Sequence, residues 1–286
     1  MWIAQAEDGL DSDGGRIGWL VASTVVAATL QSAIDANGRS LFLLKGGTML
    51  QHRLPGTTRA TTDVDGLVRG DIDEFLSILD AVLRQPWGPL TFRRGQVEVI
   101  EVPGKTIRPR RFDLTVMMNG VTWRKLQVEV SPDEGRAGDA AEQIVAPSLA
   151  GFGLPTPDHL VTLSLRYQIA QKAHAATDPH DPPEFVNDRA RDVVDLLLLR
   201  DLVRATGEPR LLDVLAAIVD IFDARAAEAV ATGRQPRHWP DRLVAYPHWQ
   251  VSYRKAAESA GLSLTLEEAV TEVNAWLDQI DSAVDA

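Results

Sequence analysis

The sequence predicts an α+β protein, with a mixed sheet and its helices in residues 1–150 and an all-helical half in residues 151–286. Runs in which polar and apolar residues alternate, as they do on a strand with one buried face, fall between residues 63 and 130. Asn119-Gly120 separates two of these runs, and both residues tolerate the positive φ that a two-residue hairpin turn requires. From about Thr156 onward the apolar spacing becomes helical almost throughout.

Taken in order, residues 15–37 read as a helix closed by the stop signal Asn37-Gly38. Ser40 to Leu44 is a short apolar run that ends in Lys45-Gly46-Gly47, as a buried strand entering a tight turn would. Thr48 to Leu54 reads as a short helix, Asp63 to Val68 as a strand, and Asp71 to Leu83 as a helix with one apolar stripe. Val97 to Val102, Phe112 to Met118 and Val121 to Val130 alternate, and Pro132 to Ala146 reads as a connector. In the second half, helices are expected from Thr156 to Ala176, Phe185 to Thr206, Leu211 to Thr232 and Leu264 to Asp281, with a weaker one in Asp241 to Ala260. Asp178 to Pro183 carries three prolines and cannot be regular structure.

Composition narrows the function classes. With 45% apolar and 24% charged residues the chain reads as globular. The absence of cysteine excludes disulfides, thiolate zinc sites and cysteine nucleophiles, and fits a reducing, cytoplasmic setting. Acidic Glu7, Asp8, Asp11 and Asp13 stand where a secretory signal would carry positive charge. The apolar stretch from Trp19 to Leu30 is too short for the roughly 20 residues of a membrane span. A net charge of −11 gives no global support for nucleic-acid binding, although Arg93-Arg94 and Lys105 to Arg111 are local basic clusters.

The residues that could carry chemistry fall into two groups. Asp63 and Asp65 are two apart on a strand and so project to one side, where two carboxylates repel unless a cation lies between them. Oxygen-rich paired carboxylates suit Mg²⁺, or Mn²⁺, bridging to substrate phosphates. Gly46 and Gly47 ahead of a helix let the backbone approach a phosphate, with the helix N-terminus supplying donors and Thr48 beside them. Arg59, Thr61 and Thr62 flank the carboxylates and are candidate phosphate contacts. A third carboxylate is expected from a neighbouring strand: Glu129, in the apolar strand after the hairpin, is the first candidate, and Asp113 is the rival. In the second half, Asp192 and Asp195 share a helix face, and Asp195 precedes four leucines, so the pair calls for a buried partner. Lys172 could supply it.

The order strand, Gly-Gly, helix, strand with Asp-X-Asp is how polymerase-β-like nucleotidyltransferases build their active site. Together, Gly46-Gly47-Thr48, Arg59-X-Thr61-X-Asp63-X-Asp65, the helical Lys172 and Arg191-Asp192-X-X-Asp195 resemble the AbiEii nucleotidyltransferase toxins, which include the MenT-like group. The resemblance implies that Gly46, Gly47 and Thr48 contact a triphosphate, that Asp63 and Asp65 hold metal, and that Lys172, Asp192 and Asp195 complete the site. It further implies an NTP as donor, the 3′ end of tRNA as acceptor, and a cognate antitoxin. Two features depart from the pattern: the Pro-rich extension between Lys172 and Asp195, and the acidity of the chain. A small-molecule nucleotidyltransferase of the aminoglycoside-modifying kind and a catalytically degenerate interaction protein are the alternatives.

Overall fold

The computed structural model describes residues 13–102, 105–183 and 185–283; Glu7, Asp8 and Asp11 lie outside them. The chain runs through α1 (Asp13–Gln31), β1 (Phe42–Lys45), α2 (Gly46–Arg53), β2 (Asp63–Val68), α3 (Ile72–Val82), β3 (Leu90–Arg94), β4 (Glu98–Val99), β5 (Arg110–Met118) and β6 (Val121–Pro132). It continues through β7 (Ala141–Val145), β8 (His159–Leu163), α4 (Leu165–Ala176), α5 (Ala190–Thr206), α6 (Leu211–Ala231), α7 (Gln250–Ser259) and α8 (Leu266–Asp281).

One mixed sheet has the strand order β3-β5-β6-β2-β1-β8-β7, with β4 paired to β5. β2 runs parallel to β6, and β1 parallel to β8; the other neighbours are antiparallel. Strand alternation separates the two faces. Phe42 of β1 lies on the face covered by α1 and α3 and stacks on Phe75 at 6.1 Å between centroids. Gly66 of β2 lies under that ring, and a Cβ there would overlap it. Asp63 and Asp65 alternate to the opposite face. The Asn119-Gly120 turn has φ of 51° and 78°, as a hairpin with two left-handed residues requires.

Several elements differ from expectation, each for a physical reason. The first helix ends at Gln31 rather than residue 37, because Asn37-Gly38 turns the chain back through an Ile34–Ser40 bridge. The helix expected from Thr156 begins only at Leu165: His159–Leu163 is a strand between β1 and β7, a short apolar run whose length suits either element. Within the expected connector, Ala141–Val145 is the edge strand β7. Leu90–Arg94 is a further strand, pairing with β5, and Val97 to Val102 contributes only Glu98–Val99. The helix expected from Phe185 starts at Ala190, since Phe185 is taken up in a bridge with Asp181.

The helices of the second half pack on one another, α5 touching α4, α7 and α8, and α4 touching α6 as well. Trp249, Trp276 and Phe222 are fully buried among them. No described helix is long and apolar enough to cross a membrane.

Candidate active site

The site is built where β1 and β2 meet the helical half. Lys45, the last residue of β1, is in register with Asp65, and Asp65 is in register with Glu129 on β6. Asp63 is in register with Gln127, and Gln127 with Asp113 one strand further out. Paired residues share a sheet face, so the acids line one side of the sheet in a graded series outward from β2.

Gly46 opens α2 with φ at 68°, and a Cβ there would overlap the Asp65 carboxylate. Glycine is therefore needed twice over, for the left-handed turn and for the close approach. A Cβ on Gly47 would lie 3.0 Å from Thr61 Oγ1 and 3.2 Å from Arg59 Nη2. The glycine turn is thus wedged between the carboxylate strand and the loop that carries Arg59. Thr48 Oγ1 donates to the Asp63 carbonyl at 2.5 Å, tying the helix to β2. Thr62 Oγ1 donates to Asp63 Oδ1 at 3.2 Å.

From the other side comes a compact square of charge. Lys172 Nζ, on α4, donates to Asp192 Oδ1 at 2.7 Å and to Asp195 Oδ2 at 2.6 Å, both on α5. Arg59 donates from Nε and Nη2 to the two oxygens of Asp195, each at 2.9 Å. Asp195 is fully buried and Lys172 nearly so. Burial works against both charges, but Asp192 and Asp195 outweigh it and hold the Lys172 ammonium above the usual lysine value. Likewise Lys172 and Arg59 hold the Asp195 carboxyl below its usual value against burial. Arg59 thereby spans from the glycine turn to the buried acids, and Lys172 is near enough to Asp65 to favour its ionised form.

Asp65 has the opposite electrostatics. Burial, reinforced by Glu129 and Asp63 against the pull of Lys45, pushes its carboxyl up to about 6. The surrounding cations are committed elsewhere: Lys45 donates to Ser131 Oγ at 2.7 Å, and Arg111 bonds Glu129 at 2.7 Å. Two neighbouring carboxylates, one of them disfavoured as an anion, fit a divalent cation. Among the described residues no three His, Asp or Glu side chains converge as a metal cage, so the fit rests on the Asp63–Asp65 pair. Glu129 is tied to Arg111, and Asp113 is tied to Lys125 at 2.7 Å.

Sequence reasoning left three polar residues of this neighbourhood without a part. Lys45 is in register with Asp65, and burial lowers the pKa of its ammonium against the attraction of Glu134 and Asp65. Glu134 accepts from Arg225 at 2.7 and 2.9 Å and from Gln171 at 2.8 Å, joining the end of the sheet to α4 and α6. Gln168 bonds both backbone groups of Gly46. The available signals were the adjacency of Lys45 to Gly46, and the four-residue spacing that puts Gln168 on the helix face of Lys172.

The family described as nucleotidyl transferase AbiEii toxin, type IV TA system, matches residues 29–279. No curated protein matches by sequence. Among solved structures, JHP933 from Helicobacter pylori is 15% identical, with 92% of this chain and 91% of that chain covered and a TM-score of 0.45. MenT4, a nucleotidyltransferase toxin from Mycobacterium tuberculosis H37Rv, is 18% identical, with 98% and 99% covered and a TM-score of 0.43.

Proposed function

The chain belongs to the AbiEii family of nucleotidyltransferase toxins, and we propose that it transfers a nucleotide from an NTP to the 3′ end of tRNA, using the cleft between β2 and α4. The observation that carries this reading is the chain of contacts joining Asp65, the Gly46-Gly47 turn, Arg59, Asp195 and Lys172.

Nucleotidyl transfer is mostly positioning and charge neutralisation. The acceptor hydroxyl forms a bond to the α-phosphorus as the bond to the pyrophosphate oxygen breaks, and pyrophosphate leaves. Asp63 and Asp65 would hold Mg²⁺ or Mn²⁺, which supplies Lewis-acid polarisation of the α-phosphate and of the attacking oxygen. Gly47 and Thr48 begin α2 without intrahelical acceptors for their N–H groups, and these suit the triphosphate. Lys172 and Arg59 neutralise the developing charge, held in aim by Asp195 and, for Lys172, by Asp192. Register favours Glu129 over Asp113 as the third carboxylate, because Glu129 is paired directly with Asp65 and Asp113 stands one strand beyond. Thr61 and Thr62 stand beside the donor phosphates. Membership of a type IV toxin–antitoxin family supports an antitoxin partner and a cytoplasmic setting.

The acceptor has a second reading with its own support. Of the eight cations near the catalytic half that could form a basic track, seven are in ion pairs. Arg59 and Lys172 bind Asp195, Arg94 binds Asp80, Lys105 binds Glu134 and Glu228, Arg108 binds Glu101, Arg110 reaches Asp73 and Arg111 binds Glu129. Arg93 alone of the eight has no such pair among the described residues. Neutralised cations release few counterions from RNA, so a small cationic acceptor of the aminoglycoside kind gains weight.

The deciding experiment incubates the protein with Mg²⁺, each labelled NTP, and either total tRNA or an aminoglycoside set. Label on the 3′ end of tRNA is expected, and Asp65→Asn should reduce it by about a hundred- to a thousandfold. Label on the aminoglycoside alone selects the second reading. Label on neither, or full activity in Asp65→Asn, rejects the site.

A further inference from the structure

α4 carries three buried polar side chains within five residues, Gln168, Gln171 and Lys172, and each bonds a different neighbouring segment. Gln171 donates to Glu134 at the end of the sheet, and Lys172 binds the acids of α5. Gln168, one helical turn before Lys172, points at the glycine turn. Its Oε1 accepts from the Gly46 N–H at 3.3 Å, and its Nε2 donates to the Gly46 carbonyl at 3.4 Å. The side chain is 2% exposed.

A buried amide has given up its water, so it belongs where it recovers both a donor and an acceptor bond. Here both go to a single residue, and that residue is the one whose backbone is left-handed and whose Cα abuts Asp65. The Gly46 N–H is thus already in use, which leaves Gly47 and Thr48 as the first-turn donors. An apolar side chain of the same length would fill the space and hold nothing.

We propose that Gln168 is a positioning residue for nucleotide binding: it clamps Gly46 in its left-handed turn and so fixes the glycine turn relative to Lys172. The proposal rests on the reading that Gly46–Thr48 meets the triphosphate. Such a clamp would tie the donor cradle to the lysine, which sit on separate elements. Gln168 itself touches no reacting atom.

The test compares full-length wild-type protein with Gln168→Met, which keeps length and loses the amide, and with Gln168→Glu, which can still accept from Gly46. Amide hydrogen exchange is read residue by residue in nucleotide-free protein. Affinity is then read for non-hydrolysable α,β-methylene triphosphates of the four bases with Mg²⁺. In Gln168→Met, exchange at Gly46 should speed about tenfold while the α5 amides stay protected, and the tightest analogue should bind about tenfold more weakly. Gln168→Glu should restore protection at Gly46. Unchanged Gly46 exchange in Gln168→Met overturns the clamp, and faster exchange with unchanged affinity overturns its role in nucleotide binding. If Gln168→Met does not fold, Gln168→Glu decides: an unprotected Gly46 in that variant overturns the clamp. A wild-type protein that binds none of the analogues counts against the nucleotide reading of the glycine turn, and the exchange comparison still scores the clamp by itself.

Discussion

Gly46 and His52, at the two ends of one helix, show how differently single residues constrain this protein. At Gly46 the backbone is left-handed, and the space where a side chain would begin is filled by the Asp65 carboxylate. Gly46→Ala should therefore cost about 1–2 kcal/mol from the φ alone and displace Asp65 as well. Its expected signature is a near-complete loss of transfer with a modest fall in melting temperature. Undiminished transfer would show that the close approach of Gly46 to Asp65 is not required. His52 is a liability of another kind, because both its ring nitrogens are buried without a hydrogen-bond partner among the described residues. Burial pushes its pKa down to about 4, below the 6.5 of the unfolded chain. Between those values the unfolded state takes up the proton that the folded state refuses, so stability is full above pH 6.5 and drains as pH falls towards 4, by at most about 3 kcal/mol. His52→Leu should remove that share of the slope. Urea midpoints at pH 7.5 and 4.5 are the measurement, and equal pH sensitivity in both proteins would refute it. His174, lowered to about 2 by burial and by Arg225 and Arg237, should keep some acid sensitivity in the variant.

At the scale of elements, the pairing of α4 with α5 decides what Lys172 is for. It is a buried cation shared by two carboxylates, so its removal leaves Asp195 held only by Arg59, and Asp192 without its lysine. Breaking such a cluster by removing one partner costs about 3–5 kcal/mol. Lys172→Ala should therefore destabilise the protein by that order as well as weaken NTP use, and a wild-type melting temperature would contradict the burial argument. From the sequence, Lys172 alone reads as a surface lysine on an amphipathic helix; its partners became readable only through the acids set before four leucines. The same contrast runs through the site. Asp63, Asp65, Gly46 and Gly47 were legible because their spacing encodes geometry within one or two adjacent elements. Gln168, Glu134 and Arg225 were not, since a lone polar residue in a helical stripe says nothing about which distant wall it meets. Strand β8 escaped for a related reason: five residues of His-Leu-Val-Thr-Leu fit a helix stripe as well as a strand, and only the free edge of β1 settles which.

For the whole molecule, the charge sum of −11 proves a poor guide to the cleft, because most of the cations there are already spent on acids. Connectivity says more. β1 leads straight into the glycine turn, and β8, its parallel neighbour, leads straight into the helix of Gln168 and Lys172. The two halves of the chemistry are thus launched side by side from the same edge by segments more than a hundred residues apart. A cut at the exposed Gly151 would separate a piece holding Asp63, Asp65 and Gly46 from one holding Lys172, Asp192 and Asp195. Residues 1–151 alone would leave the β1 edge bare, and residues 152–286 would carry a strand with nothing to pair with. Each fragment should be inert by itself, and co-expression should restore transfer through re-formation of the β1–β8 and β7–β8 pairings. Activity in either fragment alone would show that the edge is dispensable. If complementation succeeds, this chain is a natural split reporter, whose output requires that two separately made polypeptides meet.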